Sequence, residues 1–376
     1  MTTRAPTKQP AFYWFFPAAS LLAALLVPLS VWSGGSGSGW PPGLLGAGHG
    51  HELIFGFALA LVAGYTLGPQ PRRILLPLFG LWLLARMSWL VLPGSTAAGI
   101  LSPAFALTLA WLVVPRFNAA KKWRNKLTGP LILLICLLAA GYWLIGLVDW
   151  RPGGLLPDQR QLMQGTVLGL LLLMTFMGGR IIAPAVAGTL EKKGIALEAR
   201  VQPRLEGALL VLLSGALALT LISPGRPLAG ALLVAAAALI VARTLRWQLW
   251  RCPERPDLLV FGIGYLWLAA GSLLTGIALL TAAPLAPALH LITVAALGTL
   301  STSVMLRLAW QRSQRCFPPA SRVLPLAAAL SGAGITRYLA GATPFAEPAL
   351  LWLSAGLWSV AYLAVTFDLI NLIRRA

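Results

Sequence analysis

Charge is scarce in this 376-residue chain, and negative charge is scarcer still. Only 10% of its residues are Asp, Glu, Lys or Arg, with 10 acidic side chains against 29 basic ones; a soluble domain carries roughly a quarter. With 58% apolar residues and a mean hydropathy of +0.80, the chain cannot cover a water-facing surface and reads as an integral membrane protein. Almost nothing is left over for a soluble domain, so a docking or catalytic domain outside the bilayer is not expected. Cysteine is reduced to Cys136, Cys252 and Cys316, far apart and without a Cys-x-x-Cys spacing. Neither a disulfide framework nor a thiolate zinc site is expected from them. Histidine is equally rare, at His49, His51 and His290.

Long apolar runs are what the chain has in abundance. A spanning helix needs roughly 20 apolar residues, and about twelve such runs can be marked. They lie at 12–32, 51–68, 74–92, 97–115, 128–148, 162–182, 205–222, 228–248, 258–281, 286–306, 323–341 and 349–372. The expected fold class is all-α, a polytopic transmembrane helical bundle of about twelve spans forming one integral membrane domain over 1–376. The net charge of +19 sits in short loops between the runs, so positive-inside topology accounts for it and a nucleic-acid partner is not expected. Arg72 and Arg73, the cluster at 116–126, Lys192 to Arg204, Arg243 to Arg255, Arg307 to Arg322, and Arg374 with Arg375 fall in alternate loops. They share the side of Arg4 and Lys8, while the opposite loops offer only Arg151, Arg160, Arg226 and Arg337. Both termini are therefore expected in the cytoplasm. The first run has no clear small-x-small cleavage site behind it and reads as a retained span. No convincing internal repeat is visible.

Span parity places the three histidines near one face. Spans two and ten both run inward and open near His51 and His290, so the imidazoles are expected at or just below the outer interface. His49 and His51 lie about 200° apart on a regular helix, and Gly48 and Gly50 around His49 permit an irregular backbone. Neutral imidazole is the commonest metal ligand and a frequent axial ligand to heme, which makes His49, His51 and His290 candidate metal ligands. The bland alternative is interfacial histidines hydrogen-bonded to loop carbonyls. Glu52 shares a four-residue stripe with Gly56, Ala60 and Gly64, small residues that let helices pack closely. It is expected to point into the bundle, where an acid is costly and usually functional. It can steady an imidazole, accept protons, or merely cap the helix N-terminus. Arg86, roughly 18 Å into the third span, needs an anionic partner, either Glu52 or a heme propionate. Arg337, near the outer end of span eleven, can join it unless it only snorkels. His51, His290, Arg86 and Arg337 form the candidate cofactor set, and Glu52 is the candidate catalytic group.

The segment Gly48-His-Gly-His-Glu-Leu-Ile-Phe-Gly-Phe-Ala58, running on to Val62-Ala-Gly-Tyr65, resembles the NnrS family. Its members are twelve-span bacterial membrane proteins associated with heme, copper and the response to nitric oxide. Their second span opens on His-x-His-Glu followed by two Gly-Phe pairs. Here those positions correspond to His49, His51, Glu52, Gly56-Phe57 and Gly64-Tyr65. Weaker matches cover most of the chain: Phe15-Phe16, Arg86, Gly179-Arg180, Leu266-Trp267, Leu289-His290 through Gly298, and Met305-Leu-Arg307. A further histidine usual in the family after the arginine matching Arg307 is missing from Ala309 to Arg315, which puts one of two metal sites in doubt. The resemblance implies heme b, with copper as a second metal, in a bacterial cytoplasmic membrane. It also implies nitric oxide or a related small ligand, a membrane redox partner and a heme-dependent redox activity. From a different class, twelve short-looped helices with an intramembrane Glu/Arg pair suit a secondary transporter of a small solute. The shared face has a direct check. In otherwise Cys-free protein, a cysteine at position 49 should react with an impermeant reagent from outside; labelling only from the cytoplasmic side would invert the topology.

Overall fold

Backbone polar groups have no water to bond inside a bilayer, so a chain this apolar must satisfy them within helices. The computed structural model describes residues 8–121, 123–147 and 157–375 and is 83% helical. Among the described residues ten helices are long and apolar enough to cross a membrane. Two further helical stretches match the remaining expected spans. One runs unbroken from Gly48 to Thr66 but is divided by a π-helical turn; the other, Ala320–Leu339, contains Arg322 and Arg337. Large apolar side chains point outward along these helices, Trp111 at 79%, Val211 at 73% and Phe367 at 63% exposure. A surface of that kind is stable against lipid and not against water, and the protein is a multi-pass membrane protein. Arg4, Lys122 and Arg151, used above to orient the spans, lie outside the described residues.

The chain divides into two compact units. Unit 1 comprises Met1–Arg151 and Tyr362–Ile373. It opens on strand β1 (Lys8–Pro10), paired antiparallel with β2 (Pro69–Pro71) so that Lys8 faces Pro71. Its helices are α1 (Phe12–Gly35), α2 (Gly48–His51), a π-helical turn at Glu52–Ala58, α3 (Leu59–Thr66), α4 (Arg72–Val91), α5 (Thr96–Asn118), α6 (Trp123–Lys126) and α7 (Thr128–Leu147). Helices α1 and α3 meet where Gly64 leaves room for Phe16, whose ring would lie 2.6 Å from any Cβ at that position. The end of the chain's last helix closes this unit: Ser20 Oγ donates to the Tyr362 carbonyl at 2.9 Å, and Thr366 Oγ1 donates to Ser20 Oγ at 2.9 Å.

Unit 2 comprises Pro152–Ala361 and Arg374–Ala376. Its helices are α8 (Gln159–Glu191), α9 (Pro203–Thr220), α10 (Arg226–Arg246), α11 (Pro256–Leu280), α12 (Ala286–His290), a second π-helical turn at Leu291–Ala296, α13 (Leu297–Ser313), α14 (Ala320–Leu339) and the first part of α15 (Pro348–Arg374), whose residues from Tyr362 to Ile373 belong to unit 1. A capping box starts α8: the Gln161 N–H donates to Asp158 Oδ1 at 2.7 Å while the Asp158 N–H donates to Gln161 Oε1 at 2.9 Å, satisfying two otherwise orphaned donors. In the loops, Lys193 Nζ donates to Glu254 Oε2 at 2.8 Å, which holds the Glu254 carboxyl below its ordinary value. Helices α10 and α11 cross at Gly230 and Gly276, where a Cβ on either residue would lie 2.7 Å from the other's carbonyl oxygen. Without a hydrophobic effect between helices in lipid, such small-residue crossings provide close van der Waals packing.

That crossing sets a stability test. Gly276→Val should lower stability by about 1–3 kcal/mol through overpacking. By contrast Gly207→Ala, in α9 where nothing lies within 4 Å, should raise it by about 0.5–1 kcal/mol. Melting temperatures in one detergent compare the two.

Candidate functional site

In unit 1 the second transmembrane stretch changes pitch one residue after His51. Helix α2 ends there, and from Glu52 the backbone pairs with a π-helical stagger, the Leu59 N–H reaching the Ile54 carbonyl. Turns of this kind frequently interrupt helices at functional sites. The approach to the turn is pinned by two glycines. A Cβ at Gly48 would lie 2.2 Å from the Gly43 oxygen, and that same oxygen accepts from Trp89 Nε1 at 2.7 Å. Only glycine at position 48 lets the two backbones come this close.

The widened turn delivers His51 and Glu52 side by side into the interior, both at 0% exposure. His51 Nδ1 lies 3.1 Å from Glu52 Oε1. The same oxygen accepts from Arg86 Nη1 at 2.7 Å, while Arg86 Nη2 donates to Ser102 Oγ at 2.8 Å. Gly56 makes the approach possible, since a Cβ there would meet Arg86 Cδ at 2.8 Å. Trp82 Nε1 donates to the Gly56 carbonyl at 2.9 Å. An oxygen that accepts from a guanidinium presents a lone pair and no proton, so the imidazole nitrogen facing that same oxygen is the one that carries the proton. His51 is therefore held with Nδ1–H on Glu52, and the lone pair of its neutral form is on Nε2. Nε2 is buried without a hydrogen-bond partner, as are Glu52 Oε2 and Arg86 Nε.

Aromatic rings enclose the imidazole. Trp89 stacks on it at 3.9 Å between centroids, Phe55 and Trp143 meet it edge-on at 4.9 and 5.1 Å, and Tyr142 lies at 5.6 Å. The donor chemistry fits a metal ion on Nε2, with Glu52 as the carboxylate that orients the ligand. Among the described residues no group of three His, Cys, Asp or Glu side chains converges. Heme iron takes one or two axial ligands from protein, and the single imidazole nitrogen that His51 offers fits that. With no exposed surface on the ring, a porphyrin on Nε2 requires part of the aromatic wall to withdraw.

The other expected residues fall differently. His49 is half-buried, its Nδ1 2.9 Å from the Gly46 carbonyl, and His290 is half-buried in unit 2, its Nδ1 2.6 Å from the Ala286 carbonyl. Both carbonyl contacts are those of the bland reading, and both also leave Nδ1 as the protonated nitrogen. His290 is the last residue of α12 before the second π-helical turn, as His51 is the last of α2 before the first. Arg337, also in unit 2, donates to the Gly341 carbonyl at 3.2 Å. Helix capping by Glu52 is not what occurs, because its engaged oxygen faces Arg86 and His51.

Ser102, Trp82, Trp89 and Trp143 were not foreseen, since nothing in a Ser or Trp among many marks its partner. Nor was a second buried ion pair. Arg243, expected in a loop, lies inside α10 and donates to Glu206 at 2.9 Å and to the Thr175 carbonyl at 3.0 Å. Tyr265 hydroxyl donates to that same carbonyl. Gly178 and Gly179 give the room, and this glycine pair in α8 was the available signal. Similarly, buried Asp257 receives Arg255 at 2.8 Å and Arg307 at 3.0 Å.

A family model described as NnrS protein matches residues 7–376. No curated protein matches the chain.

The shared carboxylate can be dissected by a double-mutant cycle on melting temperature. Glu52→Gln and Arg86→Met should each cost about 3–5 kcal/mol by stranding a buried partner, and the double variant far less than their sum. Ser102→Ala should cost about 1–3 kcal/mol by leaving an arginine N–H unpaired. Additive losses would deny the pair.

Proposed function

This chain belongs to the NnrS family, and from that premise we propose that it is a heme-binding protein of the bacterial cytoplasmic membrane that acts in nitric oxide handling. The cofactor is heme b, and copper is a second metal if one is bound. The observation that supports this most is His51, with Nδ1 committed to Glu52 and Nε2 buried and unpartnered. Heme iron, when present, supplies reversible binding of small ligands and one-electron chemistry. What the chain itself does is fix the imidazole tautomer through Glu52, hold the Glu52 carboxyl in place through Arg86, and keep water from the ring with Trp89, Trp143, Tyr142 and Phe55. Arg86, whose Nη groups are taken by Glu52 and Ser102, has little left to offer a propionate. His290 and Arg337, in unit 2, are the further cofactor-binding candidates of this reading. With both termini in the cytoplasm the histidines belong near the outer face, where a redox partner in the membrane could be met.

A second reading has its own observation. The direct 2.7 Å contact of Arg86 with Glu52 is the intramembrane pair that a secondary carrier of a small solute would use, and an unwound or π-helical turn beside it suits a gated path.

The absorption spectrum of the purified protein separates them. In the heme reading a Soret band is present, His51→Ala or His290→Ala abolishes or shifts it with the protein still folded, and His49→Ala leaves it largely intact while removing copper. A colourless protein without bound metal, stabilised against heat by a solute, establishes the carrier instead.

A further inference from the structure

Unit 2 holds an arginine whose charge the fold does not balance. Arg337 is only 9% exposed, yet among the described residues its guanidinium meets no carboxylate. Its hydrogen bond runs from Nη1 to the Gly341 carbonyl, a helix-end contact that offers only the partial negative charge of the α14 C-terminus. Among the described residues the other buried arginines are neutralised, Arg86 by Glu52 and Arg243 by Glu206, and half-buried Arg255 and Arg307 share Asp257. A guanidinium removed from water without a counter-charge is among the costlier groups in a membrane protein.

The packing of α14 shows what lies beside it. A Cβ at Gly298 would meet Leu330 at 3.1 Å, and one at Gly334 would meet Ala295 at 2.5 Å, so α14 runs antiparallel to α13 and the π-helical turn. Carried on by one turn, this register sets Arg337 level with the first residues of that turn, roughly 3 Å along the axis from the level of His290. His290 is half-buried there, its Nδ1 directed to the Ala286 carbonyl. A guanidinium without a carboxylate partner and an imidazole thus share one level of unit 2.

We propose that Arg337 is an anion-binding residue, taking one carboxylate or other small oxyanion at the level of His290. The guanidinium fork matches two oxygens of such a group with two parallel hydrogen bonds, a geometry that a halide cannot reproduce. The carboxylate can come from a free small anion or from a bound cofactor's side chain. The site stands on unit 2 alone and does not require the heme reading.

The test uses the full-length protein in detergent, with thermal unfolding in sodium acetate or sodium nitrite against sodium chloride of equal ionic strength. Hemin and its dimethyl ester, in which the carboxylates are blocked, form a second arm. Wild type should be stabilised by acetate or nitrite over chloride, or by hemin over its ester. Arg337→Met should weaken that response by about 10- to 100-fold, the worth of hydrogen bonds to a charged group. Without oxyanion the same variant should melt above wild type, because an unbalanced buried charge has gone; a residue that served only to cap α14 would leave a variant that melts lower. If Arg337→Met does not fold, Arg337→Lys keeps the charge without the fork and should retain a weakened response. An acetate or nitrite effect assigns a free anion, and an ester-sensitive hemin effect assigns a cofactor carboxylate. No oxyanion response in wild type, or a full response in Arg337→Met, overturns the proposal.

Discussion

One carboxylate oxygen organises the interior of unit 1. Glu52 Oε1 accepts both Arg86 and His51, and neither of its partners could be left in that place without it. A buried arginine needs a negative charge, and a buried carboxylate needs a positive one. The imidazole on the same oxygen acquires a defined tautomer as a consequence. The neighbouring features serve this contact: Gly56 gives the guanidinium its path, Ser102 takes its second Nη, and the π-helical turn sets Glu52 beside His51. The cost of desolvating these charges is what makes the arrangement narrow. A shift of one residue in register would leave at least one charge stranded.

Unit 2 follows the same rule with other residues. Glu206 with Arg243 and Asp257 with Arg255 and Arg307 each place an acid against arginine in the interior, and glycines at 178 and 179 give Tyr265 and Arg243 the room to approach α8. With 10 acidic residues in the whole chain, the burial of several of them against arginine is a heavy commitment. Arg337 stands out against that background. Both units also place a histidine at the end of a short α-helical turn, immediately before a π-helical one, although the two segments share no obvious sequence pattern beyond that histidine.

Much of the site is legible in the sequence. The acid at position 52 lies on a stripe of small residues, and Gly56, Ala60 and Gly64 are buried with it. Arg86 falls too deep in a span to lack a partner, and Glu52 was one of two partners it could have. The choice between Glu52 and a propionate was not legible, because it depends on how α4 is rotated against the second stretch. The aromatic enclosure was hidden for a similar reason. Trp89 and Trp143 are two among 15 tryptophans, most of which a membrane protein would be expected to place at its interfaces.

The sequence by itself determined that this chain is a helical membrane protein, and where its spans begin and end to within a few residues except at the C-terminal ends of α8 and α13, which run on to Glu191 and Ser313; it also determined that a histidine, an acid and an arginine are the groups to account for. Those conclusions follow from local quantities, namely apolar run length, the near absence of acid, and the depth of a charge along a helix. Tertiary structure alone decided that Arg86 bonds Glu52 and Ser102, that Arg243 is an interior residue rather than a loop one, and that His51 is sealed by aromatic rings. These depend on the rotation and pitch of helices packed against one another. A π-helical turn alters both by the stagger of its backbone hydrogen bonds, and no regular spacing in the sequence announces it.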